Sequence, residues 1–198
     1  MPADATQITP SNSAIVLVDH QPGVAAWTSS LPAGQMAANA AILARLGEQL
    51  HIPLLITSTR EDEGFLGTTI EEIQHAAPAA YQNRIRRGGT LDAFGDPGFV
   101  EAVKALGRPN LIIAGLTSDV CLANTALSAA GAGYHVHAVA DASASTSVLA
   151  DTVTYDRLRD RGVTVGTTMG TWSELYPDVS TPEGQRSEAA VSGRPVPA

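Results

Sequence analysis

Short apolar runs decide which folds are open to this chain. Ala14-Ile15-Val16-Leu17-Val18 is uninterrupted and stops at Asp19. It is too short for a buried helix and lacks the alternation of a half-exposed strand. It therefore reads as a strand covered on both faces. Residues 52–57 read in the same way, and residues 111–114, 134–140 and 163–165 read as further strands. Helical stretches separate them. Ala33–Leu50 is rich in Ala and Leu at helical spacing. Pro97–Leu106 has Pro97 in its first turn and Gly107 just past its end. Residues 120–130 are small and end near Gly131 and Gly133, and residues 148–161 are amphipathic.

Strands that alternate with helices are βαβ units, and right-handed crossovers place their helices on both faces of a parallel sheet. The expected fold is an α/β, three-layer α/β/α sandwich around a central, mainly parallel sheet. At 198 residues the chain suits one domain. We expect an N-terminal extension over residues 1–12, the domain over 13–177, and a tail over 178–198. The tail is rich in Pro, Ser, Gly and Glu, which suggests a flexible end or an arm laid across a neighbouring subunit. Residues 61–87 carry no clear period and read as containing loops.

Composition excludes several functions. With 44% hydrophobic and 16% charged residues the chain is not intrinsically disordered. No apolar run reaches the roughly 18 residues of a membrane span. The first twenty residues have neither a basic start nor a small-residue cleavage site, so no secretory leader is expected. The net charge of −8 repels phosphate backbones and argues against a nucleic-acid partner. The single cysteine, Cys121, can form no intrachain disulfide, which fits a reducing, cytoplasmic compartment. Eleven of the twelve basic residues are arginines, and the only lysine is Lys104.

In an open parallel sheet, ligands bind beyond the carboxyl ends of the strands. The polar residues there are Asp19-His20-Gln21, Thr57-Ser58-Thr59-Arg60, Thr117-Ser118-Asp119 followed by Cys121, and Asp141 with Ser143. Cys121 falls in the first turn of its helix, where partial positive charge and free N–H groups favour a thiolate and could hold an oxyanion. A lone cysteine among Val, Leu and Ala is equally a small buried hydrophobe. Asp19 either caps the following turn or accepts the thiol proton. His135 and His137 share one face of a strand, with no third metal ligand evident. Gly131-Ala132-Gly133 follows a helix and precedes a strand, the reverse of the dinucleotide order, so it reads as a helix end. No G-x-S-x-G elbow is present. His20 reads as structural or pocket-lining, and Trp27 and Phe94 as pocket walls or core.

Taken together, Leu17-Val18-Asp19-His20-Gln21, Leu91-Asp92-Ala93-Phe94, Ile112 to Cys121 and Val139-Ala140-Asp141-Ala142-Ser143 resemble the isochorismatase-like cysteine hydrolases over residues 13–176. Asp19-His20-Gln21 with Ile85-Arg86-Arg87-Gly88-Gly89 is most similar to the YcaC-type branch. The resemblance implies a six-stranded sheet, oligomerisation, and a catalytic Asp, Lys and Cys, of which Asp19 and Cys121 match the first and last. Lys104 sits in a helix that precedes the Leu111 strand, on the far side of the motif. The family's lysine position falls among residues 84–87, where spacing favours Arg87, with Arg86 as runner-up. Arginine stays protonated, so it can fix Asp19 by a bidentate contact but cannot carry a proton. A nearby cation also lowers a carboxylate's pKa and weakens it as a base.

The resemblance further implies a cis Leu116–Thr117 peptide and an oxyanion hole from the backbone of Thr117 and Cys121. His20, Gln21, Trp27, Phe94 and Asn124 are the expected pocket residues. No Asp-x-His cluster follows Thr57, so neither a metal nor another cofactor is expected. The implied activity is hydrolysis of a C–N bond in a small molecule through a thioester at Cys121. The rivals are an isochorismatase-type vinyl ether hydrolase and a non-catalytic binding or thiol redox-sensing protein.

Overall fold

The structure is a computed structural model that describes residues 7–194. Six strands form one sheet: β1 (Ser13–Val18), β2 (Leu54–Thr59), β3 (Ile85–Arg87), β4 (Asn110–Gly115), β5 (His135–Val139) and β6 (Thr164–Gly166). Their spatial order is β3-β2-β1-β4-β5-β6, and every pairing is parallel. The helices are α1 (Pro22–Ala25), α2 (Ala33–Leu50), α3 (Glu71–Ala76), α4 (Pro78–Gln82), α5 (Pro97–Leu106), α6 (Ala123–Gly131), α7 (Val148–Asp160), α8 (Thr168–Leu175) and α9 (Pro182–Ser192).

Alternation along β1 explains the two outer layers. Ile15 and Leu17 face one way, into a core built with α2, α3, α8 and α9. Ala14, Val16 and Val18 face the other way, onto Phe99 and Val103 of α5, Ala126 of α6 and Leu158 of α7. All of β1 is buried, as an uninterrupted apolar run requires. The sheet order reverses between β1 and β4, which creates a crevice at their carboxyl ends. The two strands run in register from Ser13↔Asn110 to Val18↔Gly115. A Cβ on Gly115 would stand 3.0 Å from the Val18 Cβ and 3.1 Å from its carbonyl oxygen, so glycine permits this close approach.

Two parts of the chain depart from the sequence reading. Residues 61–87 include α3, α4 and the short edge strand β3 as well as loops. Residues 178–194 do not form a flexible end. Pro182–Ser192 is a helix capped by Thr181, whose hydroxyl accepts from the Gly184 N–H. It packs on α2 of the same chain through fully buried Ala190. Arg45 of α2 donates to the Ala190 carbonyl at 2.6 Å, and the Trp172 indole donates to Ser187 at 2.9 Å. Small side chains make this helix flat enough to pack, and its polar residues hid it in composition. Residues 195–198, the rest of that expected tail, lie outside the described residues, as do residues 1–6 of the expected extension.

Among the described residues no helix is long and apolar enough to cross a membrane.

Candidate active site

Three strand ends carry the candidate reactive groups. Asp19 follows β1, Arg87 ends β3, and Cys121 follows β4 after a short connection. Asp19 leaves the strand with φ of 56°, a left-handed conformation that Asp tolerates better than most side chains. Two bonds hold it there: its N–H donates to Thr57 O at 2.9 Å, and its carbonyl accepts from the Gln21 N–H at 2.8 Å.

Arg87 Nη2 donates to Asp19 Oδ2 at 2.5 Å, and neither side chain is exposed to solvent. The contact is single rather than bidentate. Arg87 spends Nε on Thr57 Oγ1 at 2.7 Å and Nη1 on the Thr90 carbonyl at 2.6 Å. The guanidinium is therefore clamped from three sides. Arg86, one residue earlier on β3, points the opposite way and pairs with exposed Asp62. Lys104 is exposed on α5.

Asp19 Oδ1 accepts no hydrogen bond of good geometry, and the Cys121 side chain interacts with this carboxylate. Burial raises the Asp19 pKa; Arg87 opposes the shift without cancelling it. The expectation of a weakened base is thus reversed, because desolvation outweighs the neighbouring cation. Burial also pushes the Cys121 thiol well up, and the Asp19 carboxylate adds to the rise. Arg87 and the Thr117 backbone N–H act in the other direction. The expectation of a lowered thiol pKa fails for the same reason: Cys121 is only 5% exposed, and a carboxylate faces it.

Cys121 does not open an ordinary α-helix. Ser118–Leu122 is one wide π-type turn, closed by the Leu122 N–H donating to Thr117 O at 3.2 Å, and α6 continues from it. The Leu116–Thr117 peptide is cis. The Ser118 hydroxyl donates to Asp151 of α7, which ties this turn to the neighbouring helix.

Cys121 and Thr117 line a cavity of about 290 Å³. Its other walls include Val24, Trp27, Leu66, Leu91 and Val120, with Thr59, Arg60, Asp119 and Thr146 among the polar positions. Asp19 and Arg87 do not form its surface. Two larger hollows, of about 410 Å³ beside α8 and α9 and about 510 Å³ beside β2 and α4, contain none of the reactive groups. Size alone does not mark the site.

Of the expected pocket residues, only Trp27 lines this cavity. His20 is fully buried and its Nε2 bonds the Ala142 carbonyl at 2.9 Å; burial lowers its pKa to about 4. The Gln21 amide straps β2 to a loop, contacting both the N–H and carbonyl of Thr59 and the Gly67 carbonyl. Phe94 packs edge-on against Phe99 in the core. Asn124 lies on α6, outside the lining. The missed walls, Val24, Leu66 and Thr146, come from loops or short turns far apart in sequence. Among the described residues no three His, Cys, Asp or Glu side chains gather as a metal site.

Residues 13–169 match the isochorismatase domain family. The chain is 33% identical over 168 residues to the probable hydrolase YcaC of Escherichia coli strain K12, covering 85% of this chain and 79% of that protein. The crystal structure of E. coli YcaC, described as an octameric hydrolase of unknown specificity, superposes with a TM-score of 0.85 at 30% identity, over 93% of this chain and 90% of that one. YcaC from Pseudomonas aeruginosa, solved with hexane-2,5-diol and covalent acrylamide, gives a TM-score of 0.84 at 28% identity, over 95% and 91%. Parallel sheet, family match and relatives agree: this chain belongs to the isochorismatase family and is a YcaC-like hydrolase.

Proposed function

We propose that the protein is a cysteine hydrolase that cleaves an amide or carbamoyl-type C–N bond of a small molecule through a thioester. The reading rests on one arrangement: Cys121 on the wall of a small cavity, in contact with a carboxylate that Arg87 anchors.

Asp19 takes the Cys121 proton as Sγ attacks the carbonyl carbon. The carbonyl electron pair moves to oxygen, and the backbone N–H groups of Thr117 and Cys121 hold that oxyanion. Collapse restores the carbonyl and breaks the C–N bond, and the nitrogen departs with the proton from Asp19. Water then attacks the thioester while Asp19 takes its proton. The C–S bond breaks, the acid is released, and the thiol recovers the proton. Arg87 stays charged throughout and keeps Asp19 aimed. The raised carboxylate pKa brings this base closer to neutral pH, where proton transfer is most effective.

The covalent acrylamide of the P. aeruginosa relative, an adduct of an electrophile, is in keeping with a nucleophilic side chain in YcaC-like proteins. The octameric E. coli relative supports assembly of this chain into a homo-oligomer. Exposed Val148, Leu149 and Val153 on α7 offer an apolar face for it. A panel of small amides and carbamoyl compounds assayed for ammonia release, with Cys121→Ser as control, tests the reaction. Vinyl ether hydrolysis would proceed without the thiol.

A further inference from the structure

Apolar side chains make most of the wall of the cavity at Cys121. Val24 and Leu66 are each 3% exposed and pack into a small core with Met36 and Leu116, so this part of the wall is held in place. Trp27 and Leu91 line the same cavity, yet they are 59% and 57% exposed. Single exposed apolar residues are ordinary. Two large ones left in water beside an apolar hollow mark a surface that a ligand covers.

Charge supplies a second constraint. Among the described residues that line the cavity, the only cation is Arg60 and the only anion is Asp119. Glu63 takes Arg60 Nε and Nη2 at 2.8 and 2.5 Å, and the guanidinium lies 4.9 Å over the Phe65 ring. Arg87 is excluded from solvent and paired with Asp19. A carboxylate that entered this space would lose water without gaining a free cation. At about 290 Å³ the cavity lies near the lower limit of about 300 Å³ for ligand pockets, which restricts a substrate to a short chain or a single ring.

We propose that the Cys121 cavity selects small uncharged acyl compounds with an apolar body, which Trp27 and Leu91 cover at the mouth, and discriminates against carboxylates. This assignment rests on the cavity at Cys121 being the substrate site of the proposed hydrolase. The apolar body leaves water against the wall, and no charge has to be compensated.

Alkylation of Cys121 in the full-length protein reads this selection without any turnover. The probes are N-methyl-, N-ethyl- and N-propyl-iodoacetamide and iodoacetate, each rate being divided by that of N-acetylcysteine. In the wild type the normalised rate rises about threefold per added methylene, as transfer of each from water gives, so the propyl compound leads the methyl compound about tenfold. Iodoacetate lags the methyl compound at least about tenfold, because its charge is left uncompensated. Trp27→Gln and Leu91→Gln each cut the propyl-over-methyl ratio to about threefold or less. Both side chains are more than half exposed, so folding is not at stake. The ratio is read at one thiol, so any general change in its reactivity cancels. A wild-type rate that is flat within about twofold or falls with chain length overturns the proposal. So does iodoacetate keeping pace with the methyl compound, or a ratio unchanged in both variants. Failure of the amide hydrolase reading looks different: no ammonia release from any amide, with the chain-length preference intact.

Discussion

Arg87 Nη2 and Asp19 Oδ2 meet at 2.5 Å with both side chains excluded from solvent. A buried ion pair of this kind is costly to break and not inherently stabilising. Removing one partner leaves a bare charge. We expect Arg87→Met and Asp19→Asn each to destabilise the protein by about 3–5 kcal/mol in urea unfolding. The double variant should recover much of that loss, giving a large coupling energy. Additive losses would show that the pair acts independently. Each single variant should also lose at least about a hundredfold in turnover if Asp19 acts as the base we propose.

His20 gives a pH signature. Its pKa is about 4 in the folded chain against 6.5 unfolded, because burial disfavours the charged ring. The unfolded chain therefore binds this proton first. Stability from this group is complete above about pH 6.5 and falls as pH drops toward 4. The expected loss is about 3 kcal/mol, measured as unfolding free energy against pH. A His20→Gln variant should show a flatter profile between those limits.

Gly115 pairs with Val18 of β1, and a methyl there would meet Val18 at 3.0 Å. Gly115→Ala should cost about 1–3 kcal/mol through overpacking. It should also lower kcat, because Asp19 and Cys121 follow from these two strands and the reaction depends on their separation. A thermal melt and a turnover assay on the same preparation separate the two effects.

The sheet was legible because five of its six strands fall on the short runs that separate the helical stretches. β1 and β4 are fully buried, and their sequences admit little else. β3 was not legible as a strand. It has three residues at a sheet edge, two of them arginines, and one of those is buried against Asp19, Thr57 and Thr90. The family resemblance, through its spacing ahead of Ala93-Phe94, nevertheless favoured Arg87 over Arg86, and alternation along β3 explains why Arg87 faces inward. The pocket walls were least legible. Leu66 reaches the site because Gly23 of α1 lets the two segments touch, with a would-be Cβ only 2.6 Å from the Leu66 Cα. Nothing local in the sequence records such a contact. The thiol pKa was misjudged because position in a helix says little about burial or about a carboxylate arriving from another strand.

The account stands on covalent chemistry at Cys121. Its most direct test is intact-mass analysis of the wild-type protein, acid-quenched during turnover of an amide identified by ammonia release. The account predicts an acyl adduct on Cys121 that forms and decays with turnover, and no ammonia release by Cys121→Ala. Full turnover by Cys121→Ala, with no adduct on the wild type, would contradict it.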